Sequence, residues 1–396
     1  MARFQLHHSK LIRGLLLSVA VFVVSCSNFA EQPDKAKTSE IVDSHFDDGI
    51  YKVGISMPSQ YLERWNHDGQ YLKNSFEELG YEVELCYAGN MIDIQIEDME
   101  NMIEDGVDVL IISAIDGLSL TKVIEKAHNN NIPVIAYDRL ICNSEYVSAY
   151  ISFDNYKVGT LQGEYIEAAL NLQNAEVGAY NIEFTAGDMA DSNARYFFDG
   201  AMDVLSPYIE NGILNVPSGQ MDFYTVATPT WASSVAKMRF DIILGSYYTN
   251  GRSLDAVVCS NDSTALGVLE AIDENYDGSN TIFVTGQDCD EENLIMLFEG
   301  RQSMEVYKNL SYEALVTVKL VDSILGGEEI SKELTDKWDI TFKCSYDEES
   351  YYNGKIYVPS FLLEPIAITK QNAIEELVDK YQSYVIAEDG NLKVAE

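Results

Sequence analysis

The chain has 396 residues, 46 % of them apolar, and carries 64 Asp and Glu against 26 Lys and Arg, a formal charge of −38 at pH 7. Such a surface repels phosphate backbones and anionic lipid headgroups. No Lys/Arg cluster beyond the first residues compensates it, so nucleic acid is excluded as a partner.

In chain order, Arg3, Lys10 and Arg13 precede an apolar run from Leu15 to Val24 that ends in Val23-Val24-Ser25-Cys26. The run is shorter than the roughly 20 residues a spanning helix needs. It reads as a lipoprotein signal over residues 1–25, with cleavage before Cys26 and lipidation of its thiol. Residues 26–49 are polar and aperiodic, a tether. The remaining roughly 345 residues exceed what one core usually serves, so two lobes are expected, outside the cytoplasm and held to the membrane by the lipid, on its periplasmic or cell-surface side.

From Tyr51, short apolar runs alternate with helical-period segments. Strand YKVGISM precedes a helix near Tyr61 to Leu79, YEVELCY one near Ile92 to Glu104, and VDVLIIS one near Leu118 to Asn129. The fourth strand is VIAY (134–137) and the fifth runs from Tyr150 to Phe153. A second series follows: a helix from Tyr156 to Asn171, EVGAYNIEF, a helix near Asn193 to Leu205, a short strand near Ile213, a helix from Trp231 to Leu244, LDAVVCS, a helix from Ser263 to Asp273, and TIFVTGQD. Continuous apolar runs separated by amphipathic helices predict parallel sheets covered on both faces. The repeat is one of architecture, without a readable sequence repeat.

Several chemistries lack their signatures. There is no phosphate loop, no GxGxxG after a strand, no HExxH and no GxSxG elbow. His7 and His8 fall in the signal and His45 in the tether, leaving His67 and His128, so no zinc site and no cofactor are expected. Asp273, Asn275, Asp277 and Gly278 imitate the start of a calcium loop, but Val284 stands where a bidentate Glu is needed, so they read as a polar turn. Cys86, Cys142, Cys259, Cys289 and Cys344 show no CxxC spacing and read as free thiols. Paired carboxylates are plentiful, yet a glycosidase requires two facing each other across a bond, which sequence cannot supply; no enzyme is expected.

What recurs is a polar side chain at the end of an apolar strand. Arg64-Trp65 follows the first strand, Asp138-Arg139 the fourth, Asn261-Asp262 follows DAVVCS, Asp288 follows TIFVTGQ, and Lys308 follows MEVY; Asp191 and Asn193 open the helix after YNIEF. In open α/β sheets ligands bind beyond the carboxyl ends of strands. Carboxylates, amides and guanidinium groups engage neighbouring hydroxyls, and a Trp face covers the C–H side of a sugar. Each residue also has a plain structural role: Asp191 as a helix cap, Asp138-Arg139 as a surface ion pair, Trp231 as packing.

At these residues the chain resembles the extracytoplasmic sugar-binding proteins of type I fold that serve ABC importers, in the branch of xylose-binding and multiple-sugar-binding proteins. The likeness runs from Tyr51 to about Lys370 through LERW (62–65), MENMIEDGVDVLII (99–112), VIAYDRLI (134–141), YISFDNYKVGTLQ (150–162), SNDSTA (260–265), VTGQD (284–288) and VPSFLLEPIAITK (358–370). It implies an α/β fold of two doubly wound, Rossmann-like lobes joined by a three-segment hinge, a type I periplasmic binding protein. Crossings are expected near Ser152 to Asn155, Met304 to Tyr307 and Pro359 to Leu362, giving lobes of 50–152 plus 307–358 and 153–306 plus 359–396. Sugar contacts carry over to Arg64, Trp65, Asp138, Arg139, Asp191, Asn193, Trp231, Asn261, Asp288 and Lys308. Three carboxylates then face three cations, a balance suited to a neutral polyol. The family's glycine-rich lead-in is Ala186-Gly187-Asp188 here, expected to put a charge near the crevice, and Ser192 replaces an Asn.

The resemblance implies a monomer that binds a xylose-, glucose- or galactose-type monosaccharide by hinge closure and delivers it to a membrane ABC permease. The alternative is a sugar-sensing subunit for a chemoreceptor or histidine kinase, without transport.

Overall fold

The computed structural model describes residues 50–60, 63–380, 382–388 and 390–395. The signal, the tether and Cys26 lie outside these, as do Tyr61 and Leu62 of the first predicted helix. The first series forms β1 (Lys52–Met57), α1 (Glu63–Glu78), β2 (Glu82–Tyr87), α2 (Ile92–Glu104), β3 (Val109–Ile112), α3 (Thr121–Asn129), β4 (Val134–Tyr137) and β5 (Ala149–Phe153). The second forms α4 (Asn155–Ala169), β6 (Tyr180–Thr185), α5 (Ser192–Glu210), β7 (Leu214–Asn215), α6 (Phe223–Val226), α7 (Ser233–Tyr247), β8 (Ala256–Cys259), α8 (Asp262–Asn275), β9 (Phe283–Val284), α9 (Glu291–Glu299) and β10 (Glu305–Tyr307). Then follow α10 (Leu310–Leu325), α11 (Glu333–Lys337), β11 (Cys344–Asp347), β12 (Ser360–Leu363), β13 (Ile366–Ile368) and a terminal hairpin of β14 (Tyr384–Ile386) and β15 (Leu392–Val394).

Two sheets result. The seven-stranded sheet runs β11-β12-β5-β4-β3-β1-β2, parallel except for β11. The four-stranded parallel sheet runs β7-β6-β8-β9. Each begins with its first strand inside its second, so both lobes are wound alike, although their sequences share no repeat. The strands are apolar throughout because both faces are covered: VLII of β3, VIAY of β4 and AVVC of β8 are wholly buried. Separate clusters of buried side chains line each face of each sheet.

The chain passes between lobes three times. It leaves the first sheet after Phe153, and it returns after β10, which pairs with β13 beside the second sheet, into α10, which packs on α1. The third crossing differs from expectation. Ser360–Leu363 pairs in parallel register with β5, so this strand belongs to the first sheet and the crossing falls between Leu363 and Ile366. The apolar SFLL run was better buried beside β5 than in a hinge. Asp273 and Asn275 lie in α8 and bond Arg301 and Asp241, and the five cysteines Cys86, Cys142, Cys259, Cys289 and Cys344 are free thiols. Among the described residues no helix is long and apolar enough to cross a membrane.

Candidate functional site

The carboxyl ends of both sheets face one crevice of about 470 Å³, counting space open to solvent. It is lined by all ten residues singled out above and also by Phe197, Ser263, Gln287 and Asp290. Short connections put them there. Arg64 and Trp65 occupy the first turn of α1, Asp138 and Arg139 follow β4 directly, Asp191 caps α5, Asn261 caps α8, and Lys308 follows β10.

Asp138, Trp231 and Asp288 all have left-handed backbones, with φ of 57°, 57° and 102°. For residues with a side chain this costs on the order of 1–3 kcal/mol each and persists only where surroundings over-determine it. At Asp138 the carbonyl accepts from Tyr150 Oη (2.8 Å), Ser152 Oγ (3.0 Å) and Asn193 Nδ2 (2.7 Å). At Asp288 the buried Asp262 carboxylate accepts the backbone N–H of Gln287 (3.1 Å) and of Asp290 (2.8 Å), clamping the loop on both sides. At Trp231, Asp188 accepts the N–H groups of Thr230 and of Ala190, the latter at 2.8 Å. Asp188 therefore stands beside the crevice wall but turns its carboxylate to the backbone and does not line the crevice. The adjacent Gly187 is required because a Cβ there would sit well inside 3.0 Å of the Trp231 ring.

The lobes bond directly to each other across the crevice. Arg139 Nε lies 2.9 Å from Asp191 Oδ2, and Arg139 Nη1 donates to the Ala114 carbonyl at 3.1 Å. Asn193 spans the hinge: its Oδ1 accepts from Tyr150 and Asn155, each at 3.0 Å, while its Nδ2 holds Asp138. Asp288 lies 3.3 Å from Lys308 Nζ and 3.7 Å from Arg64 Nη1. Asp191 and Asn193 are thus cap and clasp as well as lining. Trp65 lies under both guanidinium groups, with the Cζ atoms of Arg64 and Arg139 each 5.0 Å from its ring. Trp231, only 6 % exposed, tilts against Phe197, and its Nε1, like Gln287 Oε1, makes no hydrogen bond within the protein. The Asn261 side-chain oxygen is spent on capping Thr264, which leaves its NH₂ group uncommitted.

The charge balance differs from three against three. Arg64 also pairs with Asp68 and Glu313, both at 3.2 Å and both wholly buried in the lobe behind it. Asp138, Asp191, Asp288, Asp68 and Glu313 therefore surround three cations, and Asp290 adds a sixth carboxyl at the crevice wall. Burial alone pulls the Arg64 guanidinium down, but Asp138, Asp68, Glu313 and Asp288 together hold it well above its usual range. Burial pushes Asp138 up and is outweighed by Arg64, Lys308 and Arg139, so it stays below the ordinary carboxylate value. Burial wins at Asp68, pushed up to about 6, and at Glu313, pushed well up. Sequence reasoning missed these two because neither follows a strand; packing of α10 on α1 brings Glu313 to Arg64. Among the described residues no group of His, Cys, Asp and Glu could hold a metal ion.

Comparison with known proteins agrees with this fold. The family described as periplasmic binding protein domain matches residues 53–329. The multiple sugar-binding periplasmic receptor ChvE of Rhizobium radiobacter is 38 % identical over 330 residues, covering 83 % of this chain and 89 % of its own. The D-xylose-binding periplasmic protein of Escherichia coli (strain K12) is 32 % identical over 329 residues, with the same coverages of 83 % and 89 %. The crystal structure of an ABC transporter solute-binding protein from Clostridium phytofermentans with bound β-D-glucose is 45 % identical, superimposes with a TM-score of 0.78, and covers 86 % of this chain and 99 % of its own.

Proposed function

Because this chain belongs to the periplasmic binding protein family, we propose that it is an extracytoplasmic receptor that closes over a neutral monosaccharide of the xylose, glucose or galactose type and delivers it to an ABC importer. The observation that carries this reading is the convergence, from both lobes, of guanidinium, ammonium, carboxylate and amide groups on one crevice flanked by Trp231. In our reading the ligand shell is Arg64, Trp65, Asp138, Arg139, Asp191, Asn193, Trp231, Asn261, Asp288 and Lys308. Charged groups satisfied mainly by each other leave lone pairs and N–H bonds for sugar hydroxyls without demanding a charged ligand. Only the closed form offers both sets of groups at once, so the sugar shifts the hinge equilibrium towards closure.

We place the hinge at 153–155, 307–310 and 363–366, with the lobe of β1 to β5 also carrying α10 to β12. Lipidation of Cys26 would tether a monomer to the membrane beside its permease. Family members are substrate-binding proteins, so the expected outcome is stoichiometric binding without product.

Thermal denaturation against xylose, glucose, galactose, arabinose, fucose and ribose tests this. A ligand at 100 times its Kd adds about 2.7 kcal/mol to stability, and a shift confined to one or two sugars is expected. No shift with any of them, in protein shown by mass spectrometry to be free of carried-over ligand, would refute the monosaccharide reading.

A further inference from the structure

Glu313 sits in the first turn of α10, wholly buried, and nothing in the sugar shell as read above includes it. Its Oε2 accepts from Arg64 Nη2 at 3.2 Å, while its Oε1 has no hydrogen-bond partner. Facing it are Arg64 and Asp68 from α1, Tyr137 and Asp138 from the end of β4, and Lys308 from the turn after β10. Asp288 reaches the same two cations from the other lobe. The four carboxyls of Asp68, Asp138, Asp288 and Glu313 thus share Arg64 and Lys308, since Arg139 is taken by Asp191. A buried surplus of two negative charges is not tolerated in a medium of low polarity; such a group takes up a proton instead.

We propose that Glu313 is a positioning residue that is protonated when the lobes are closed, so that sugar binding is coupled to uptake of a proton. The neutral carboxyl still accepts from Arg64 and fixes its orientation, but it no longer cancels the charge that Arg64 presents to Asp138, Asp288 and the ligand. Closure drives the uptake in two ways: it excludes water, and it brings the Asp288 carboxylate to cations that had served the first lobe alone. Asp68 and Glu313 each accept one Arg64 N–H at 3.2 Å and each keep one oxygen without a bond, but Asp68 also faces the Tyr137 hydroxyl, which favours its charged form and leaves Glu313 the better proton holder. The proposal rests on the sugar-binding reading of the crevice.

The test is titration calorimetry of the purified protein with D-glucose or D-xylose at about pH 7.5 in buffers of different ionisation enthalpy. Wild type should take up between about 0.5 and 1 proton per sugar, and its affinity should fall by up to tenfold per pH unit as pH rises. Glu313→Gln, a neutral mimic, should take up almost none and lose the pH slope, whereas Glu313→Ala should bind more weakly at every pH because Arg64 is no longer held. Binding without proton uptake, or uptake unchanged in Glu313→Gln, overturns the proposal, and abolition in Asp68→Asn instead would move the proton to Asp68.

If neither sugar binds at any pH, the sugar reading itself has failed, and urea unfolding then shows only whether Glu313 holds a proton in the unliganded fold. The sign follows from a folded value raised above 4.5: the Glu313 contribution is whole below that pH and drains as pH rises towards the folded value. The wild-type midpoint should therefore fall relative to Glu313→Gln above about pH 4.5.

Discussion

Gly187→Ala separates the position of Trp231 from its mere presence. Gly187 does not line the crevice, and its φ is not left-handed, so alanine is allowed by the backbone. The added Cβ would nevertheless fall well inside 3.0 Å of three atoms in the six-membered ring of Trp231. The indole is held by its left-handed turn and by Phe197, so it must swing out of place or distort the loop. Overpacking of this kind costs about 1–3 kcal/mol of stability. Losing the stacked face uncovers roughly 60–80 Å² of apolar sugar and ring surface, worth about 1.5–2 kcal/mol at 25 cal/mol per Å². That is a roughly 10–30-fold rise in Kd. Calorimetry on wild type, Gly187→Ala, Trp231→Phe and the double variant closes a cycle. Phenylalanine lacks the clashing ring, so Gly187→Ala should cost little in its presence, a strong departure from additivity. A folded Gly187→Ala protein with wild-type affinity, or strictly additive losses, would refute the argument.

Asp288→Ala should weaken sugar binding by about 1–3 kcal/mol, roughly 5–150-fold, since Lys308 and Arg64 lose the carboxylate that pairs with them from the second lobe; circular dichroism should show the fold intact. Asn193→Ala removes the clasp to the Asp138 carbonyl and to Tyr150, and at about 1 kcal/mol net per bond, about 2 kcal/mol together, should raise Kd about 30-fold, with the loss seen as reduced closure in small-angle scattering. Burial pushes the Asp262 carboxyl up from 3.8 to about 7, and the Glu305 carboxyl beside it upward as well. Their stabilising contribution is therefore whole below about pH 4 and drains as pH rises through about 7, by an amount on the order of 2–4 kcal/mol. Urea unfolding at pH 5 and pH 8 should show that loss in wild type and much less of it in Glu305→Gln.

Residues set by one short connection from a strand were legible in the sequence. Arg64, Asp138, Asn261, Asp288 and Lys308 could be placed because a parallel strand buried on both faces must release its next polar residue at the carboxyl edge, and that edge is the crevice. Ile92–Glu104 was likewise read from periodicity to the residue. What required the third dimension was which side chains stand behind the front row. Phe197 lines the crevice from the second turn of α5; Asp68 stands behind Arg64 one turn along α1, and Glu313 reaches Arg64 only because α10 packs on α1, 249 residues further along the chain. Asp188 was placed correctly near the crevice, but two backbone N–H groups claim its carboxylate. Pro359 to Leu362 was assigned to a crossing by the resemblance, while pairing of Ser360–Leu363 with β5, invisible in sequence, decides its lobe.

Intrinsic fluorescence tests the central claim most directly, because the sequence contains 3 tryptophans: Trp65 and Trp231 in the crevice and Trp338 in the core of the first lobe, donating to Ser323. Adding D-glucose or D-xylose to ligand-stripped protein should give a saturable change at one equivalent that survives Trp338→Phe and is largely lost in Trp231→Phe. A folded protein with no saturable response to any pentose or hexose, or a response that disappears only with Trp338, would contradict a sugar held between the lobes.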